Sequence, residues 1–215
     1  MVKKSLLVCG IISSLLYVGT DIFAAMSWEG YSYTSQAVSE LMAIGAPTRP
    51  LLVALFSVYN PLVIAFGIGV WLSADSKRSL RVAGILLVAY GVIGQVGLLF
   101  APMHLRGAEG SVTDVMHIIV TSVIVLLTLL FIGFGSSARG KWFRLYSILT
   151  IVALLVFGAL AGMQGNRIAA GLPTPWLGVM ERVNIYSSML WVLVLAFVLL
   201  RAQGASPQGN SQREG

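Results

Sequence analysis

The chain has 215 residues, 57% of them hydrophobic and 10% charged, with a mean hydropathy of +0.88, whereas a soluble domain is about 25% charged. This composition excludes an ordinary water-soluble enzyme or binding module and makes the bilayer the solvent for most of the surface. The net charge of +6 does not point to nucleic acid, because Lys and Arg sit in short segments flanking apolar runs, where membrane topology and anionic headgroups account for them.

In chain order, the first apolar run is Ser5–Ala25. It follows Lys3-Lys4 as a signal peptide would. Its length, Asp21 and the lack of a clean small-residue cleavage site instead mark it as a retained span. Next comes the longest connection, whose stretch Ser35–Ile44 places Val38, Leu41 and Met42 at helical spacing before Gly45 and Pro47 stop it. A short amphipathic helix on the outer interface is expected there, with Ser35, Ser39 and Glu40 toward its polar side.

The second run, Leu51–Ser73, contains Pro61, which should kink it beside Asn60. Val82–Ala101 carries Gly91, Gly94 and Gly97, and Leu145–Gln164 carries Gly158 and Gly162, small residues that let helix backbones approach. Between them, Thr113–Gly135 is preceded by Ser111-Val112-Thr113-Asp114, a capping-box pattern. The last run spans roughly Gly178–Arg201. About 20 apolar residues at 1.5 Å each cross a core of about 30 Å, so every run is long enough to span.

The expected fold is an all-α integral membrane protein, a six-transmembrane-helix bundle formed by one domain over residues 1–201. The segment 202–215, rich in Gly, Gln and Ser, is expected to be a disordered cytoplasmic tail.

Charge decides the expected orientation. Lys3, Lys4, Lys77, Arg78, Arg81, Arg139, Lys141, Arg144, Arg201 and Arg213 fall on one side of the six runs, against Arg49, Arg106, Arg167 and Arg182 on the other. The positive-inside bias then places both termini in the cytoplasm of a cell whose inner membrane holds the protein. Trp28, Tyr31, Tyr33 and Trp176 read as outer interfacial anchors, Trp71 and Trp142 as inner ones. Cys9 is the lone cysteine, so neither an intramolecular disulfide nor a cysteine metal cluster can form.

The informative residues are polar groups inside the apolar runs, because a charge at mid-span costs roughly 2.5–3.5 kcal/mol on insertion scales. Asp21, His117 and Glu181 would lie at similar depth near the outer ends of three different spans, with Arg182 and Arg49 as available cations and Gln95 and Asn60 deeper. Tyr17 shares a helical face with Asp21; Asp114 and Thr121 share one with His117; Asn184 and Ser188 share one with Glu181. The stripes suggest an outward-opening polar pocket, roofed by the 35–44 helix and lined by Asp21, Ser39, Glu40, Gln95, His117, Glu181 and Arg182. Each also has a purely structural role to weigh. Asp114 can cap its helix, Glu181 can favour a helix start, Asp21 and Arg182 can pair, and His117 can bond a neighbouring helix.

Gly30-Tyr31-Ser32 leading to Ser39-Glu40-Leu41 after the first span, Met116-His117 early in the fourth and Glu181-Arg182 opening the last form an ordered set of short motifs. In these the chain resembles a multi-pass membrane family of bacteria and archaea called domain of unknown function 998. The resemblance covers nearly all the spans and implies the architecture but no activity. Phe100-Ala101-Pro102-Met103-His104 departs from the family pattern, in which an acidic residue tends to follow a Phe-Pro pair.

The leading functional expectation is binding or transport of a small or lipid-like molecule entering from the outer face. The lipid bilayer is the expected surrounding; no cofactor, metal or nucleic-acid partner is expected. An intramembrane hydrolase with Ser39 as nucleophile, His117 as base and Glu181 or Asp21 orienting it is the enzymatic alternative, unsupported by a nucleophile-elbow motif. A zinc version using His104 and His117 lacks ligand spacing. A structural assembly partner is the third class.

The orientation is testable with single cysteines after Cys9→Ser. An impermeant thiol reagent added to intact cells should label Glu109→Cys and leave Lys77→Cys and Arg139→Cys unlabelled; the reverse pattern inverts the topology.

Overall fold

A computed structural model describes residues 1–204. It is 78% helical, and six of its helices are long and apolar enough to cross a membrane. These are α1 (Val2–Ser27), α2 (Arg49–Leu72), α3 (Arg78–Phe100), α4 (Val112–Gly135), α5 (Lys141–Gly162) and, after the short α6 (Gly165–Ala169), α7 (Leu177–Gly204). The tail expected from Ala202 is helical as far as Gly204, and its remainder lies outside the described residues.

The turns at 73–77 and 136–140 are short enough to force antiparallel neighbours, and contacts such as Gly10 on Phe66 and Gly69 on Leu6 set α1 antiparallel to α2, so the six long helices alternate in direction. The start of α1 and the end of α7 therefore share one end of the bundle, the near end, with the turns at 73–77 and 136–140. The far end carries the three longer connections, 28–48, 101–111 and 163–176. Around the bundle, α3 packs on α2, α2 on α1, α1 on α7 and α7 on α5, while α4 packs chiefly on α3 and touches α5 lightly.

Local sequence sets the helix ends. Pro50 occupies the first turn of α2, where a missing N–H costs nothing. Ser111 accepts from the Asp114 amide at the start of α4 in the expected capping box. Asp75 and Trp176 take left-handed φ values of 44° and 67° at turns that lead toward α3 and α7.

Inside the bundle the core is aromatic at its centre. Trp191 of α7 is fully buried, packs 5.7 Å from Phe131 of α4 and 5.8 Å from Phe143 of α5, and donates its indole N–H to Ser147 Oγ at 2.9 Å. Glycines make the closest helix contacts. A Cβ on Gly84 of α3 would lie 2.6 Å from the Trp71 amide nitrogen, and one on Gly67 of α2 would lie 2.8 Å from the Gly84 carbonyl, so these backbones touch.

Gly91 and Gly94 abut Asn60, and Gly97 abuts Val120. Gly158 abuts Asn184, whereas Gly162, expected on the same packing face, has open space where a Cβ would stand. α2 continues as one helix through Pro61, and the buried Asn60 beside it donates to Gln95 Oε1 at 3.3 Å.

The helix expected over 35–44 is shorter and differently placed. It is one 3-10 segment, Val38–Met42, and Glu40 is fully buried rather than turned to the interface. The reason is tertiary: the Glu40 carboxylate is held inside by the Arg106 guanidinium and the Ala37 amide, which take the place of the water it gives up.

Gly84→Val should force α2 and α3 apart and cost about 1–3 kcal/mol by overpacking. Gly19→Ala, which meets nothing within 4 Å, should hold or slightly raise the melting temperature in detergent, because Ala is the better helix former. Thermal unfolding of the two purified variants checks this.

Candidate functional site

The far end holds two carboxylate–guanidinium pairs side by side under the loop cap. Asp21 comes from the last turns of α1 and Arg182 from the second turn of α7. Arg182 Nε donates to Asp21 Oδ2 at 2.8 Å and Nη2 donates to Oδ1 at 2.9 Å, a bidentate contact between buried side chains. The remaining guanidinium protons go to Tyr33 O at 2.6 Å, Gly178 O at 3.3 Å and Tyr31 Oη at 3.1 Å. All five donors are therefore used. The Tyr33 ring lies 3.5 Å below the guanidinium carbon, and Tyr186 donates its hydroxyl to Asp21 Oδ2 at 2.5 Å.

Glu40 anchors the second pair. Its carboxylate accepts from Arg106 Nε at 2.7 Å and Nη2 at 2.5 Å, and from the Ala37 amide at 2.8 Å. Arg106 Nη1 then donates to Thr174 Oγ1 at 3.1 Å, and Thr174 Oγ1 donates to Ser35 O at 2.7 Å. One arginine thus ties all three far connections together. The Glu40 contacts hold the Arg106 guanidinium above its ordinary pKa. In the same cap, burial pushes the Tyr31 phenol up to about 12, so it stays protonated and able to donate to the Ala37 carbonyl at 2.9 Å.

Glu181 links the two pairs through the backbone, accepting from the Val38 amide at 2.7 Å. Asp21, Glu40, Glu181 and Arg182 are consequently brought together, as the sequence suggests. Ser39 lies half-buried in the same 3-10 segment. His117 and Gln95 stand apart from that centre. His117 Nδ1 faces the Ala101 carbonyl at 3.1 Å, closing the end of α3 against α4, and Gln95 pairs with Asn60 between α2 and α3. The fourth helix meets α7 toward the near end, where Phe131 and Gly135 pack on Trp191. Its far end is directed to α3 instead. No hydrogen bond joins Ser39 to His117 or His117 to Glu181 among the described residues.

The sequence offers His104 only as a remote zinc candidate. The structure places its Nδ1 3.0 Å from Asp114 Oδ2 and its amide 2.7 Å from Asp114 Oδ1. Ser111 Oγ is 3.3 Å from that same Nδ1 and 2.8 Å from Asp114 Oδ2. In a hydrolytic relay the carboxylate and the nucleophile occupy opposite ring nitrogens. Here both crowd one nitrogen, which makes the trio an elaborated helix cap. Among the described residues no group of three or more His, Cys, Asp or Glu side chains is placed to hold a metal ion.

Sequence reasoning missed four members of the centre. Tyr31 and Tyr33 read as interfacial anchors and are arginine contacts; Tyr186 and Arg106 carry no site expectation. Tyr186 lies one helical turn beyond Arg182, a spacing that was available as a signal. The 66 residues between Glu40 and Arg106 carry none.

A groove of about 410 Å³ opens beside this centre. Tyr33 and Arg182 line its polar end, where the Tyr33 and Tyr186 hydroxyls stand 3.0 Å apart, and Val179, Val183, Ser187 and Leu190 continue it along one face of α7.

Helices that span, ionic pairs saturated inside the protein and a loop cap knotted by arginine define an all-helical multi-pass membrane protein. Residues 11–198 match the family described as protein of unknown function, DUF998, and the chain belongs to that family. No curated protein and no solved structure matches the chain.

Asp21→Asn and Arg182→Gln should each lower stability by about 3–5 kcal/mol, because each strands a buried partner. The double variant should lose measurably less than the sum of the two. A double-mutant cycle by thermal unfolding in detergent reads the coupling, and strict additivity would dissolve the pair.

Proposed function

We propose that this protein resides in the cell (inner) membrane with both termini cytoplasmic and binds or transports a small or lipid-like molecule taken at its outer half. The ten-to-four sorting of basic residues supports the orientation. The observation that carries the binding reading is the amphipathic character of the α7 groove. From Val179 to Leu190 it runs about 16 Å at 1.5 Å per residue, from paired tyrosine hydroxyls into a wall of Val183 and Leu190. Its volume of about 410 Å³ lies in the range of about 300–1,000 Å³ usual for small-molecule sites.

The saturated guanidinium selects the headgroup. Arg182 spends its donors on Asp21, Tyr31, Tyr33 and Gly178, so its charge is already balanced. What a ligand meets is the Tyr33 and Tyr186 hydroxyl pair; Tyr186 gives its proton to Asp21 and Tyr33 gives its own to Tyr186, so Tyr33 Oη is left to accept, which suits an uncharged hydroxyl headgroup on one apolar chain. In this reading Asp21, Arg182, Glu40 and Glu181 hold the groove wall and its roof in place, and His117 and Gln95 brace α3 against its neighbours.

A photoactivatable monoacylglycerol carrying a diazirine in its chain tests the reading on the purified protein. Saturable crosslinks should map to residues 179–190. Val183→Trp should abolish them by filling the groove, while Tyr33→Phe, which keeps its ring over Arg182, should weaken binding by about 0.5–1.5 kcal/mol. Unsaturable labelling spread over the lipid-facing surfaces of α4 and α5, or full labelling of Val183→Trp, would overturn it.

A further inference from the structure

We propose a second lipid site, at the near end, built to hold one anionic phospholipid by its phosphate. A notch of about 290 Å³ lies between the end of α7 and the connection from α4 to α5. Its walls are Val194, Phe197 and Val198 of α7, and its rim is Arg139 and Arg201. On α7 these are positions i, i+3, i+4 and i+7, so Val194, Phe197, Val198 and Arg201 form one continuous face with the charge outermost. The binding reading of the α7 groove has no part in this site, which sits at the opposite end of the same helix.

Three observations point to an anionic lipid. First, both arginines are at the surface, and neither makes an ion pair among the described residues, in contrast to Arg106 and Arg182 at the far end. Two other near-end cations are engaged: Lys77 Nζ donates to the Ala138 carbonyl at 3.2 Å and Arg81 Nη2 to the Asp75 carbonyl at 2.8 Å.

Second, Asp75 is the only carboxylate at this end among the described residues, so two guanidiniums face an anion-poor surface. Third, the floor beneath the charges is apolar and lies on a membrane-spanning helix. A soluble anion would use the rim and leave the floor unfilled. A diacyl phospholipid places its phosphate between two guanidinium forks and lays an acyl chain against Phe197. Two arginines converging on one notch exceed what helix topology requires of a loop charge, since orientation depends on how many basic residues stand on a side and not on their meeting at a cavity.

The experiment uses the full chain purified in a neutral maltoside detergent and measures lipid retention by native mass spectrometry. Phosphatidylglycerol should be retained as a single stoichiometric adduct, and phosphatidylcholine with the same chains should not. Arg139→Gln and Arg201→Gln should each weaken retention about fivefold, the scale of one basic side chain at an anionic surface. Val194→Trp, which fills the notch and leaves both charges, should abolish the adduct; it also serves where an arginine variant unfolds.

Lys3→Gln with Lys4→Gln removes two charges elsewhere on the same end and should leave the adduct intact. Equal loss in that control would reduce the effect to general surface charge and overturn the site. Displacement of the lipid by millimolar glycerol phosphate would show an anion site without an acyl seat and overturn it equally.

Discussion

A carboxylate carried into an apolar bundle has to be met by a cation of the same depth, and the contact of Asp21 with Arg182 is where the rest of the far end takes its shape. Breaking either half leaves a charge in a medium that cannot solvate it. The pair therefore fixes α1 against α7, which are far apart in sequence. Its remaining donors then recruit the first far connection: Tyr31 by its hydroxyl, and Tyr33 by its ring and its carbonyl. The loop is pulled onto the bundle because the guanidinium has five protons to place and a carboxylate takes two of them.

Once that loop is held, Glu40 is carried inward, and a second arginine must reach it. Arg106 does so from the connection between α3 and α4, and its last donor collects Thr174 from the connection before α7. Short contacts follow from the convergence. Gly107 and Gly171 approach with both backbones in the left-handed region, at φ 75° and 66°, where an L side chain would be strained. Ile44 meets His104 in a single bridge, its amide donating to the Met103 carbonyl at 2.7 Å. The cap is thus a polar structure assembled on an apolar one. Apolar burial helps to order it, since Val38 and Leu41 of the first connection are buried and Trp28, Tyr31 and Met42 pack against the core.

The two ends of the bundle use arginine in opposite ways. At the far end Arg106 and Arg182 are turned inward and neutralised bidentately, which gives rigidity and leaves hydroxyls as the groups facing the groove. At the near end Arg139 and Arg201 rim an apolar notch, without a carboxylate partner among the described residues. The difference follows from the distribution of carboxylates along the chain: Asp21, Glu40 and Glu181 all fall toward the far end, and Asp75 stands nearly alone at the other.

Composition and the length of the apolar runs by themselves determined six spanning helices, because a bilayer accepts backbone only when its hydrogen bonds close locally. Asp21 with Arg182 was legible in the sequence as well, because a buried charge narrows its partners to the cations at matching depth. The glycines of α3 announced close packing, and Ser111 with Asp114 announced a cap. What tertiary structure decided was the company each polar residue keeps. Helical periodicity shows which residues share a face but not which neighbour that face meets. His117 and Asp21, equal in depth, belong to separate contacts because α4 leans on α3 and not on α7 at that end. Glu40 paired with Arg106, and Arg139 sharing one notch with Arg201, join segments dozens of residues apart. Local pattern carries no information about such pairs; they follow from how six similar helices order themselves around one core, a choice made by side-chain volume and by Gly-to-backbone fit across the whole bundle.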